Sequence, residues 1–189
     1  MAGNDVRGVG KLNIGVDANT RSVITIPYEH HEVHDGNHYT FVTYDEDFDN
    51  AETIEYLITA PASPVEMHLV VNVSGAATTL YQLFEDSTRT TTDTASTAYN
   101  NNRNSTDTAT LVIQTHSTTD GADGTQIDAS SFGLDTGVGA GSITTGGSER
   151  SSQEWILKFD AVYLLKVTSN ADNNNVTIRL SWYEHTSKA

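Results

Sequence analysis

The chain has 189 residues, no cysteine, and 25 acidic against 10 basic residues, for a formal net charge of −15 at pH 7. That length suits one domain with a single core, and the lack of cysteine excludes a disulfide framework, a thiolate zinc site and a thiol nucleophile. Acid excess with only four lysines repels phosphate backbones and anionic lipid, disfavouring direct nucleic-acid or membrane contact, and suits a salty milieu in which repulsion is screened.

Residues 1–20 are polar and contain glycine. They are expected to form a flexible N-terminal arm ahead of a single β domain over 21–189. No apolar run there resembles a signal peptide, and no stretch approaches the ~20 apolar residues that span a bilayer. The expectation is a soluble protein made in the cytoplasm, with no membrane partner.

From there the apolar pattern has period two. "SVITIPYEHHEV", "HYTFVTY" and "TIEYLIT" read as strands, bounded by Gly, Asn, Asp and Pro clusters. In "VEMHLVVNV", Val65, Met67, Leu69, Val71 and Val73 share one side while Glu66, His68 and Asn72 share the other, as in a half-buried strand. "TTLYQLFE" follows. The segments Asp86–Ala109 and Ser117–Gln153 are poor in apolar residues and rich in Thr, Ser, Asn, Asp and Gly, so they read as long polar loops around "ATLVIQTH". "EWILKF", "VYLLKVTS" and "VTIRLSWYEH" close the chain, the last with Val176, Ile178, Leu180 and Trp182 opposite Thr177, Arg179, Ser181 and Tyr183. The pattern predicts an all-β fold: an antiparallel β-sandwich, jelly-roll-like, with long polar loops and an extended N-terminal arm.

Four of the seven histidines fall between His30 and His38. Read as a strand, Glu29–Val33 places His30, Glu32 and His34 on one face and His31 on the other, and Asp35-Gly36 supplies a hairpin turn that returns His38 toward His34. A row of His30, Glu32, His34 and His38 is chemically able to hold Zn²⁺ or Fe²⁺. The spacing lacks the His-x-His of cupin metal sites, however, and clustered imidazoles on solvated strands are commonly surface or interface residues. No metal or other cofactor is therefore assigned. "YEHH" at Tyr28–His31 recurs as the "YEH" of "WYEHT" at Trp182–Thr186, which predicts that aromatic, Glu and His side chains from both ends of the chain gather in one area.

Other constellations carry less chemistry. "YDEDFDNAE" lacks the glycine and closing glutamate of a calcium loop and reads as a solvated acidic turn. "GVGAGS" lacks the Lys and helix of a phosphate loop, and no Gly-x-Ser-x-Gly elbow is present. Trp155 and Trp182 are expected to be core anchors, and Arg150 to pin the long loop or lie exposed. No catalytic residue is assigned, and the chain is not expected to be an enzyme.

"YEHHEVHDGNHYTF", "GGSERSSQEWILK" and "IRLSWYEH", within Ile24–His185, together resemble a group of small structural proteins of tailed bacteriophages and related archaeal viruses. The resemblance implies a capsid decoration or cement protein, added to the virion surface as a homotrimer that bridges subunits of the major capsid protein. In that picture His30, His31, His34, His38, Trp182, Tyr183, Glu184 and His185 lie at an interface and hydrogen-bond without turnover. Rival readings are a receptor- or glycan-binding head-fibre or tail component, and a metal-dependent, cupin-like jelly-roll enzyme using His30, Glu32, His34 and His38.

Overall fold

A computed structural model of the chain describes residues 27–90, 93–117, 120–133, 144–147 (backbone only) and 153–186. One helix, α1 (Tyr28–Asp35), precedes eleven strands: β1 (His38–Phe48), β2 (Thr53–Thr59), β3 (Val65–Gly75), β4 (Thr79–Glu85), β5 (Tyr99–Asn100), β6 (Val112–His116), β7 (Thr125–Phe132), β8 (Thr144–Gly147), β9 (Trp155–Ile156), β10 (Val162–Ser169) and β11 (Asn174–Thr186). They form two sheets. The first runs β5-β1-β11-β3-β8 with β9 also on β3, and the second runs β6-β2-β10-β4-β7. Every pairing is antiparallel.

The alternation read from the sequence sets which side chains meet between the sheets. Met67, Leu69, Val71 and Val73 of β3 and Val176, Ile178, Leu180 and Trp182 of β11 are at most 2% exposed. They face Tyr56, Ile58, Tyr81, Leu83, Tyr163, Leu165 and Val167 of the second sheet in one continuous cluster. A β-sandwich core of this kind gains ~1.5–3 kcal/mol per fully buried Val, Leu or Ile side chain. Trp182 fills the interior as a core anchor, stacked on Tyr39 at 5.9 Å.

Several expectations are corrected. Glu29–Val33, read as a strand, lies within the helix Tyr28–Asp35, which Pro27 enters in an extended conformation and Gly36, at φ 80°, closes in the left-handed region. The Gly36 and Asn37 N–H groups bond the carbonyls of Val33 and Glu32 in a Schellman closure, so Asp35-Gly36 ends a helix and makes no hairpin. A Cβ on Gly36 would also meet Ser105 Oγ at 2.5 Å. "EWILKF" contributes only Trp155–Ile156, and Trp155 is half-buried against the edge of the core. The polar segment Ser117–Gln153 is not all loop, since it supplies β7 and β8. The arm 1–20, "GVGAGS" and Arg150 lie outside the described residues.

Candidate functional site: the outer face of the first sheet

Residues directly opposite one another in an antiparallel sheet share a face. The register therefore assembles one row from residues far apart in the chain: His38 of β1, Tyr183 of β11, His68 of β3 and Ile156 of β9, all on the solvent side of the first sheet. The next row pairs His185 with Glu66. Rings stack along these rows, His68 on Tyr183 at 4.4 Å and 11°, and His68 on His185 at 4.9 Å and 29°.

Helix α1 lies across this end of the sheet. Tyr28 meets Tyr183 and His185 edge-on at 5.8 and 5.7 Å. The two copies of Tyr-Glu-His do come together, although one is helical and the other a strand. Glu32, one turn after Tyr28, is buried, and its Oε2 accepts from Asn37 Nδ2 at 3.0 Å.

The metal set read from the sequence does not converge. With a helix in place of a strand, His30 and His34 stand one turn apart on the exposed side, Nε2 to Nε2 3.0 Å, while Glu32 is buried. His38 is buried separately: its Nδ1 accepts from Asn101 Nδ2 at 2.6 Å, and its Nε2 lies 3.7 Å from Glu29 Oε1.

The interface candidates divide by exposure. His30, His31 and His34 are exposed on α1, and His185 is half-buried. Trp182, Tyr183 and Glu184 are each under 9% exposed and occupied within the fold, which argues against direct partner contact by them. Glu184 points inward by the same alternation that buries Trp182. Its carboxylate accepts from Trp182 Nε1 at 2.9 Å, Thr110 N at 3.0 Å, Thr110 Oγ1 at 2.7 Å and Leu111 N at 3.2 Å, tying the Asp107–Leu111 segment to the end of the core.

What the sequence reading missed is the trio Glu66, His68 and His185, one donor atom from each lying within 4.8 Å of the others. The Nε2 atoms of His68 and His185 are 3.0 Å apart, and Glu66 Oε2 is 3.7 Å from His185 Nε2. Glu154 Oε2 stands 3.5 Å from His68 Nδ1, at ion-pair range but without hydrogen-bond alignment. Burial pulls the His68 pKa below its ordinary value, and this outweighs the opposing pull of Glu154. Alternation had already put Glu66 and His68 on one side of β3. The missing signal was the register to β11.

Away from this end the face is open. Val42, Tyr44 and Tyr99 lie on it, with Ile156 at the end of the His68 row and Tyr28 on the helix, each between 42% and 69% exposed. Val42 sits beside Arg179 and Tyr44 beside Thr177. Beyond Thr40, β1 has no further strand on its outer edge among the described residues.

No family model, no curated protein and no solved structure matches this chain.

Proposed function

We propose that this protein is a non-catalytic docking subunit that attaches to a larger assembly through the outer face of β1 and the part of its edge that carries no further strand among the described residues. The observation that carries this reading is the concentration of exposed apolar side chains on one face: Val42, Tyr44, Tyr99 and Ile156, with Arg179 among them. Aromatic and Arg side chains are the residue types that dominate contact energy at protein interfaces, and an open strand edge adds backbone donors and acceptors. A contact on this face needs ~800 Å² per partner to hold without high concentration.

The finer reading is a virion surface protein that bridges subunits of a major capsid protein, as a homotrimer repeated over the lattice so that avidity adds to each contact. Its support is the resemblance carried by "YEHHEVHDGNHYTF" and "IRLSWYEH", together with strand order. Taking the eight strands β1, β2, β3, β4, β7, β8, β10 and β11 in chain order, one sheet runs first-eighth-third-sixth and the other second-seventh-fourth-fifth. This order supports a jelly-roll reading of the sandwich, an architecture common in viral capsids.

Quantitative mass spectrometry of purified particles tests the finer reading. Hundreds of copies of the chain per particle are expected. Six or twelve copies would point to a fibre or tail part, and absence from particles would remove the virion reading.

A further inference from the structure

The trio Glu66, His68 and His185 plays no part in the docking reading, and its geometry carries a separate conclusion. We propose that these three side chains bind one divalent first-row transition-metal ion, zinc by preference, on the outer face of the first sheet beneath α1.

The geometry comes first. Metal–nitrogen bonds of ~2.0–2.1 Å put two tetrahedrally placed imidazole nitrogens ~3.4 Å apart, and nearer 3.0 Å when they subtend a right angle. The two Nε2 atoms, 3.0 Å apart, already stand at ligand spacing, and the Glu66 oxygen, 3.7 Å from His185 Nε2 and within the 4.8 Å that spans the trio, closes the set by side-chain movement. Register fixes the arrangement: Glu66 and His185 are direct cross-strand partners, and His68 is two residues along β3 from Glu66. The backbone thus holds the three donors in place before any ion arrives.

The alternative is a plain imidazole–imidazole hydrogen bond. That bond leaves His185 Nδ1 buried without a hydrogen-bond partner, while His68 Nδ1 has only Glu154 Oε2 beside it at 3.5 Å. One Nε2 must also give up its lone pair's freedom to accept the other's proton. Glu154 beside His68 Nδ1 favours the proton there and leaves Nε2 bare, which is the carboxylate–histidine–metal arrangement that orients a ligating imidazole.

The donor set decides the ion class. Two imidazoles and one carboxylate suit Zn²⁺ and its neighbours and are poor for Ca²⁺ and Mg²⁺, which take oxygen ligands. Side-chain exposures of 12% for His68, 16% for His185 and 29% for Glu66 leave a path for the ion and room for water in a fourth position. Bound there, the ion would clamp β3 to β11 where α1 rests on them.

Chelator-stripped full-length protein is titrated with Co²⁺, read by visible absorption, and with Zn²⁺ by calorimetry. The titration is repeated on a His30→Ala/His34→Ala variant, which removes the exposed helical pair. Both proteins are expected to bind one ion at the trio, with Zn²⁺ raising the melting temperature of each. Glu66→Gln and His185→Asn should each weaken that binding at least tenfold, and Glu154→Gln about tenfold. Absence of stoichiometric binding in the His30→Ala/His34→Ala protein would overturn the proposal, as would full affinity in Glu66→Gln, which tests the site even if His185→Asn does not fold. None of these variants alters Val42 or Tyr44, so a failure here leaves the docking reading standing.

Discussion

The two outward faces of the sandwich are built on opposite principles. On the second sheet, His116, Glu55 and Lys166 form a row across β6, β2 and β10, and loop residues close over it. Arg89 donates from Nε to Asp123 at 2.8 Å and from Nη1 to His116 at 3.2 Å, Lys166 bridges Glu55 and Asp123 at 3.1 and 3.0 Å, and Asp120 sits 3.3 Å from His116. Leu57 and Leu164, on that same outward side, are also buried. The face satisfies its own charges. On the first sheet, among the described residues, only the α1 end is covered in this way, and Val42, Tyr44 and Tyr99 remain exposed. The contrast separates a face closed by its own ion pairs from one with exposed apolar side chains, the one that the docking reading uses, and substitutions should sort accordingly.

The largest loss is expected from Arg89→Ala. It strips the buried cation from Asp123 and Glu55, and breaking such a pair from one side costs ~3–5 kcal/mol. Urea unfolding at neutral pH measures it, and a loss under ~1 kcal/mol would mean that the closed face is not structural. Next comes Glu184→Ala at the end of the core, which orphans the Trp182 indole and the N–H groups of Thr110 and Leu111. A cost of ~2–3 kcal/mol is expected in the same assay, with partial recovery in Glu184→Gln.

The closed face should also show in pH dependence. Burial alone would raise the Asp123 pKa, but hydrogen bonds from Arg89 and Lys166 win and hold it below its ordinary 3.8. Its contribution is therefore complete above about pH 4 and is lost as pH falls through the depressed value. Burial likewise opposes the Lys166 charge, but Asp123 and Glu55 hold its pKa above 10.5, so that contribution is complete below about pH 10 and is lost as pH rises through the raised value. Asp123→Asn should flatten the acid limb of a stability–pH curve. An unchanged limb would contradict the assignment.

Salt acts on the whole surface. With a net charge of −15, stability should rise between 0.01 M and 1 M salt as the screening length falls from ~30 Å to ~3 Å, and a falling denaturation midpoint would count against it. The smallest effect on stability belongs to the open face. Val42→Asp with Tyr44→Asp should shift unfolding by only ~0.5 kcal/mol while abolishing association with the assembly.

Much of this was legible in the sequence, and the misses have physical causes. Alternation in "VEMHLVVNV" and "VTIRLSWYEH" assigned the inward residues of β3 and β11 correctly, because a half-buried strand has no other solution. The same alternation in "HHEVH" misled. Eight residues of mixed polarity fit two periods equally well, and the deciding signals were Pro27 before the segment and Gly36 after it. The trio was invisible for a different reason. His68 and His185 are 117 positions apart, and their meeting depends on a strand register that a single sequence does not fix. The strand β7, "TQIDASSF", carries too few apolar residues to announce itself and is paired onto β4 by tertiary context.

Hydrogen exchange, compared between the free chain and the chain in its assembly, tests the contrast between the two faces most directly. The account predicts new protection over Phe41–Asp47 of β1 and none over the loop Ser87–Thr90 that closes the second sheet. Protection of that loop with β1 unchanged would contradict it.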